Sequence, residues 1–292
     1  MNTDNNLPLV TVALPVYNEE KFIRETLDSV INQDYKNIEI LISDNASTDL
    51  TNSICLEYAE KDSRIKYHRH QENIGATNNF FHLANIARGN YFIWMSGHDK
   101  WSTNLLSECV KVLNQTPGAT VAYGTPVWIG QSGENLTKFT GWYDTRGCNA
   151  VVRFFMIFWG SMNPVLGVIR REDLPDFNNR KYNFVGNDLV LLAELALKGE
   201  FIHAMDAVFY RRQNRPPEKY QEKLNRYKGK DTRIAATLFT KHLPLAKLPC
   251  NLLRTVVQSD ISLLDKICII ILLTPSLPIR YILGKRDHKL SG

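Results

Sequence analysis

Tyr91-Phe-Ile-Trp-Met-Ser-Gly-His-Asp-Lys-Trp101 opens with five apolar or aromatic residues and then delivers a histidine beside an aspartate. A short apolar run bounded by Gly and polar residues reads as a strand buried on both faces, the kind found inside a parallel sheet. His98 and Asp99 then fall just past its carboxyl end, the edge where ligands bind in open α/β sheets. Taken alone, the pair reads equally well as a helix cap at Asp99, for a helix starting near Thr103, beside a solvated His98.

The pattern around this stretch repeats it. Leu9-Val-Thr-Val-Ala-Leu14 reads as a strand ended by Pro15, and Phe22, Ile23, Leu27, Val30 and Ile31 recur at helical spacing. Ile38-Glu-Ile-Leu-Ile42 is a second strand. Ser47-Thr48-Asp49 offers cap chemistry for a helix through Ile54 and Tyr58, and Arg64-Ile-Lys-Tyr67 is a short third strand. Asn79 to Ala87 is a helix closed by Gly89, which leads into the opening stretch. This β-α-β-α-β-α-β order predicts a parallel sheet with right-handed crossovers.

Composition limits the function classes. A chain of 292 residues, 44% hydrophobic and 22% charged, buries a full core. The charge of +5 arises from 35 basic against 30 acidic residues with no basic block in the first half, so no nucleic-acid partner is expected. Five scattered cysteines without Cys-x-x-Cys spacing fit a reduced cytoplasmic setting rather than a disulfide framework or a zinc ribbon. MNTDNNLPL has no basic region followed by an apolar core, so no signal peptide is expected.

Three strand ends carry polar groups: Asn18 and Glu19 after the first, Asp44 after the second, His98 and Asp99 after the fourth. Any one of them reads as a helix cap, Asn18 and Asp49 most readily. Together, carboxylates on one rim repel unless a cation or a donor-rich ligand joins them. No Gly-x-Gly-x-x-Gly follows strand one and no Gly-x-x-x-x-Gly-Lys-Ser/Thr occurs, which disfavours a dinucleotide-binding dehydrogenase or a P-loop enzyme.

Leu14-Pro-Val-Tyr-Asn-Glu19, Ile42-Ser-Asp-Asn-Ala-Ser-Thr-Asp49, Glu72-Asn-Ile-Gly75 and Ser96-Gly-His-Asp99, in that order, resemble the nucleotide-sugar-binding half of a family 2 glycosyltransferase of the GT-A fold. The resemblance covers roughly the first 100 residues. It implies a Rossmann-like, mostly parallel α/β sheet flanked by helices, with C-terminal helices beyond it. It also implies an inverting, hexosyltransferase-type enzyme with a UDP- or dTDP-sugar donor, a saccharide acceptor and a divalent Mn²⁺ or Mg²⁺. By position, Pro15, Tyr17, Asn18 and Glu19 match the turn beneath the nucleotide, Asp44 the acceptor for a uracil or thymine imide N–H, and Asn73 and Gly75 the loop closing over the nucleotide. Asp99 matches the last aspartate of the family's metal-holding signature. His98 stands where an aspartate is usual, either as a ligand that shifts preference toward Mn²⁺ or as a donor to diphosphate or sugar.

The second half departs further from the pattern. Asn187-Asp-Leu-Val-Leu-Leu-Ala-Glu-Leu-Ala-Leu-Lys-Gly199 resembles the Glu-Asp motif whose aspartate is the general base, with Asn187 replacing the glutamate. It follows Gly167-Val-Ile-Arg170, as expected. The plain alternative makes Asp188 a helix N-cap. Phe209-Tyr-Arg-Arg-Gln-Asn214 resembles a segment that usually carries a metal-binding histidine, where Gln213 or Asn214 stands here; Arg211 and Arg212 are either diphosphate contacts or solvated surface residues. Ala150 to Gly160 reads as helix core in preference to an acceptor groove.

The resemblance implies a catalytic unit over 1–215, split into 1–101 for the nucleotide sugar and 102–215 for the acceptor, with a helical extension over 216–292. Ile267 to Leu273 is too short to span a bilayer, and two prolines argue against one straight helix after it. Residues 261–286 read either as an interfacial anchor with basic flanks, contacting the cytoplasmic membrane face peripherally, or as a helix packed on the domain or on a second subunit. The anchor reading favours a lipid-linked saccharide acceptor in surface polysaccharide assembly. Two other classes stay open: a nucleotidyltransferase, for which only Lys21 and Arg24 offer basic residues near strand one, and a catalytically silent nucleotide-sugar-binding protein.

Overall fold

The computed structural model describes residues 7–138, 141, 143–177, 184, 186–214 and 247–290. Eight strands form one sheet in the order β3-β2-β1-β4-β7-β6-β8-β5. They are β1 (Val10–Val16), β2 (Ile38–Asp44), β3 (Ile65–Arg69), β4 (Tyr91–Trp94), β5 (Lys100–Trp101), β6 (Ala119–Ile129), β7 (Val168–Arg170) and β8 (Glu200–Arg212). The helices are α1 (Ile23–Ile31), α2 (Thr51–Lys61), α3 (Ala76–Ile86), α4 (Leu105–Gln115), α5 (Ala150–Trp159), α6 (Asn187–Lys198), α7 (Lys247–Gln258) and α8 (Leu263–Leu290).

β1 pairs in parallel with β2 and β4, and β2 with β3, as the alternation of elements predicts. β7 runs antiparallel between β4 and β6, and β8 lies parallel to β6. Two reversals restore direction, so β1, β2, β3, β4, β6 and β8 all point the same way; β5 and β7 oppose them. Every residue of β1, β2 and β4 is buried, which explains continuous apolar runs rather than alternation: helices cover both faces. Trp94, Phe92, Leu14, Ile40 and Phe201 are among the largest fully buried side chains.

β1 does not stop at Pro15. Its register with β4 ends at Ala13↔Trp94, while pairing with β2 continues through Val16↔Asp44. Ala13 turns its carbonyl to Met95 on the β4 side and Val16 turns its own to Asn45 on the β2 side. By alternation the missing N–H of Pro15 faces the β4 side, beyond the last ladder bond, so none is forfeited.

Ile23, Leu27 and Val30 bury as the helical spacing predicts, and Phe154, Ile157 and Phe158 of α5 bury as core. α7 packs on α6, and α8 packs on α5 and α7. α8 is one helix despite Pro275 and Pro278, against the expectation of a break. The hydroxyls of Thr274 and Ser276 donate to the Ile270 and Leu272 carbonyls (3.0 and 2.7 Å), supplying side-chain donors along the stretch where proline N–H groups are missing. The expected boundary at 215/216 lies outside the described residues.

Candidate active site

The shared direction of six strands places the carboxyl ends of β1, β2, β4, β6 and β8 on one edge. α6 runs back from that edge into β8, so its N-terminus lies there too. At the end of β1, the turn Tyr17–Glu20 is clasped by the 47–51 loop. Asn18 N–H donates to Ser47 Oγ (3.0 Å), Thr48 N–H to Asn18 Oδ1 (2.8 Å), Glu19 N–H to Thr51 Oγ1 (2.8 Å) and Glu20 N–H to Asp49 Oδ2 (3.1 Å). Asn18 therefore does not cap α1, whose N-cap is Phe22. Asn18 and Ala46 adopt left-handed φ of 54° and 61°, the only non-glycine residues to do so among those described. Asn tolerates this well; for Ala46 it costs roughly 1–2 kcal/mol, strain held at the edge where ligands bind. Pro15 is buried beneath the turn and Tyr17 is exposed.

Asp44 is fully buried. Its Oδ1 accepts Ser47 N–H (2.8 Å) and its Oδ2 accepts the Tyr67 hydroxyl (2.8 Å), with Arg69 Nε at 3.5 Å. Asn45, beside it, joins the second loop to the third: its Oδ1 accepts Ile74 N–H (2.8 Å) and its amide donates to Asn73 Oδ1 (2.9 Å), which also accepts Gly75 N–H (2.9 Å). Gly75 is the N-cap of α3 at φ 86°. Nothing lies within 4 Å of where its Cβ would stand, so the left-handed backbone, rather than close approach, is what demands glycine here.

At the end of β4, Met95 and Ser96 lead to Gly97, where a Cβ would meet Glu19 Cγ at 2.8 Å and Val16 Cγ1 at 3.1 Å. This glycine lets the Glu19 and His98 loops close on each other, and His98 Nδ1 lies 3.0 Å from Glu19 Oε1. Asp99 does not cap α4, whose N-cap is Asn104. It is 3% exposed and its Oδ1 accepts Arg212 N–H (2.8 Å). Burial pushes its carboxyl above the usual range, against the opposing pull of His98, the Arg212 N–H, Arg211 and Ser96. A buried carboxylate whose ionised form is disfavoured, beside an imidazole and a second carboxylate, is a donor set that fits a divalent ion completed by phosphate oxygens.

Arg212 is neither solvated nor turned to the edge. It is 4% exposed; its guanidinium donates to the carbonyls of His98 (2.9 Å), Gly130 and Gln131 (both 3.0 Å) and pairs with Glu25, locking the Asp99 loop to the end of β6. Its neighbour Arg211, one residue along the strand, donates to Asn163 Oδ1 (2.5 Å) and lies 4.7 Å from the centre of the Trp128 ring. Burial lowers the Arg211 pKa, while the carboxylates of Asp99 and Asp188 raise it. Lys138 lies 3.7 Å from the Trp128 ring centre, and burial, then Arg211, lowers its pKa.

Asp188 is exposed in the first turn of α6. Gly186, not Asp188, is the N-cap, which removes the plain capping role and leaves the carboxylate on the helix's positive end. Gln213 sits beyond β8 with its N–H on the Ile129 carbonyl (2.9 Å). Asn45, Gly97, Asn163, Trp128 and Lys138 were not singled out from sequence. The first two sit inside the quoted motifs, where a buried amide and a steric limit leave no pattern of their own.

Residues 11–161 match the family described as Glycosyl transferase family 2. A 132-residue segment is 34% identical to an uncharacterized glycosyltransferase of Rickettsia felis, covering 44% of this chain and 21% of that protein. A 90-residue segment is 43% identical to glycosyltransferase GlyA of Streptococcus pneumoniae serotype 4, covering 31% of this chain and 13% of that protein. The match thus spans about a fifth or less of these relatives' length. Among solved structures, S. aureus TarS 1–349 in complex with UDP-GlcNAc superposes with a TM-score of 0.61 at 15% identity, over 89% of this chain and 69% of that one. GalNAc-T7 with UDP, GalNAc and Mn²⁺ gives 0.55 at 15% identity, over 71% and 44%. These likenesses establish the GT-A fold, and with the family match covering more than half of the 292 residues, the chain belongs to glycosyltransferase family 2.

Proposed function

We propose that the protein is an inverting glycosyltransferase that moves a sugar from a UDP- or dTDP-sugar to a saccharide acceptor in surface polysaccharide assembly. The observation that carries this reading is the shared strand edge, where Asp44 ends β2, Asp99 follows β4 beside Glu19 and His98, and the N-terminus of α6 brings Asp188. Donor diphosphate and acceptor hydroxyl must approach opposite faces of one anomeric carbon, so a phosphate-side carboxylate and a general base belong on one edge. The UDP-GlcNAc held by TarS and the UDP and Mn²⁺ held by GalNAc-T7 support a nucleotide-sugar donor.

In this reading Asn18, Glu19, Asp44, Asn73 and Gly75 frame the nucleoside. Asp44 orients it from below, its imide contact sharing a carboxylate that already accepts Ser47 N–H and the Tyr67 hydroxyl. Asp99, with His98 beside it, would hold Mn²⁺ or Mg²⁺, and such an ion neutralises the charge that collects on the departing diphosphate. Arg211 offers a second positive group toward that charge. Asp188 takes the proton of the acceptor hydroxyl as its oxygen attacks the anomeric carbon, and the carbon–diphosphate bond breaks on the opposite face. A base in this role contributes roughly 10²–10⁴-fold in rate.

The test is turnover of UDP- and dTDP-sugars, with product anomer read by NMR. Transfer with inverted configuration, reduced at least 10²-fold by Asp188→Asn with donor affinity within a fewfold of wild type, is expected. A retained anomer, or unchanged transfer by Asp188→Asn, would remove Asp188 from the chemistry; nucleotide binding without any turnover would favour a binding protein instead.

A further inference from the structure

On the edge of the sheet, the end of β3 and the helix above it gather three imidazoles that play no part in the site described. His68 and His70 are two residues apart along an extended segment and therefore share a face; His82 comes from α3. Their ring centres stand 4.7, 5.1 and 5.1 Å apart, nearly an equilateral triangle. One ring nitrogen from each lies within 4.8 Å of the other two, the one such group of three among the described residues. His68 is exposed, while His70 and His82 are half-buried.

We propose that His68, His70 and His82 form a three-histidine site for a divalent transition ion of the Zn²⁺ class, separate from the carboxylate site at Asp99. Neutral imidazoles without a carboxylate suit Zn²⁺, Ni²⁺ or Cu²⁺ and not the hard ions that Asp99 would take. Zn–N bonds of about 2.0–2.1 Å place tetrahedral ligand nitrogens about 3.3 Å apart, so each pair of nitrogens closes by at most about 1.5 Å. A fourth position, on the solvent side of His68, is left for water.

The neighbourhood already orients one ligand. Asn79 Nδ2 donates to the Ser43 carbonyl (2.9 Å), which points Asn79 Oδ1 at the Ser43 hydroxyl; Ser43 Oγ donates to it (2.6 Å). Ser43 Oγ therefore receives its bond from His70 Nε2 (3.0 Å), which makes that nitrogen the protonated one and Nδ1 the one that carries a lone pair. Because His70 N–H also bonds the Asp44 carbonyl (2.9 Å) and α3 starts at Gly75, an ion here pins both ends of the 71–75 loop.

The experiment titrates Co²⁺, then Zn²⁺, into the chelator-treated full-length protein and follows visible absorption. A tetrahedral Co²⁺ band that saturates at one equivalent, is displaced by Zn²⁺ but not by Mg²⁺, and persists in Asp99→Asn is expected. Ser43→Ala should weaken binding by roughly 10–100-fold, and His68→Asn or His82→Asn by more. His68→Asn changes an exposed side chain, so its fold is checked by circular dichroism and keeps the test usable should His82→Asn not fold. No band with folded wild type, a band surviving both histidine substitutions, or one lost with Asp99→Asn would overturn the site.

Discussion

Asp99 and Gly97 show why two residues of one motif are needed for different reasons. Asp99 supplies charge where burial makes charge costly; Gly97 supplies nothing but the space that lets Glu19 meet His98. Gly97→Ala is accordingly expected to destabilise the protein by roughly 1–3 kcal/mol, read from the urea midpoint, and to weaken nucleotide binding because Glu19 must move; an unchanged midpoint would show that the loops do not touch as described. The histidine trio makes a pH prediction. His70 and His82 have depressed pKa values when folded, through burial first and then neighbouring rings, His68 for His70 and both His70 and His68 for His82, opposed for His70 by the Asn79 hydrogen bond and Asp44. Their contribution to stability is present above the unfolded value of about 6.5 and is lost as pH falls below it, because the unfolded imidazoles take up protons that the folded ones resist. Metal-free protein should therefore lose Tm between pH 7 and 5.5, and His82→Asn should flatten that slope; an equal slope in the variant would contradict it. Asp99 was legible in sequence because it follows a strand. Arg211 and Arg212 were named together, but their different placements were not legible, since adjacent arginines look alike until strand alternation sends one into the core and the other toward Trp128 and Asn163.

Helices and strands with strong periodicity were readable, and their ends less so. β1 continued through Pro15 because only one neighbour remained to pair with, a fact of sheet order and not of local sequence. α8 likewise absorbed two prolines that read as a break. One face of α8 packs inward through Ile269 and Leu273, both fully buried, while Leu263, Leu264, Ile267, Ile271, Leu272 and Ile279 are exposed. No helix among the described residues is long and apolar enough to cross a membrane. Residues 261–290 carry five basic against two acidic residues, so we propose that the exposed stripe rests on an anionic lipid surface, where burial of apolar area and cation attraction add. Vesicles containing anionic phospholipid should pull down the wild-type protein, less so at high salt, and Leu264→Glu with Ile271→Glu should abolish it. Equal sedimentation of the double variant, or none by wild type, would leave the stripe to a protein partner.

Across the whole molecule, the parallel half was predictable because each strand and helix alternates in the chain. The second half was not: β7 runs antiparallel to both of its neighbours, and only these two reversals across the sheet bring β8, with Arg211, and α6, with Asp188, to the edge where β1, β2 and β4 end. Sequence supplied the individual carboxylates, and topology supplied their meeting. In the proposed function this edge binds a nucleoside diphosphate through a metal held at Asp99. Calorimetric titration of UDP, dTDP and GDP, each with Mn²⁺, with Mg²⁺ and with chelator, into wild type and Asp99→Asn tests it most directly. Tight binding of a uracil or thymine nucleotide that needs the metal and fails in Asp99→Asn is predicted; no binding, or binding indifferent to both metal and Asp99, would contradict it.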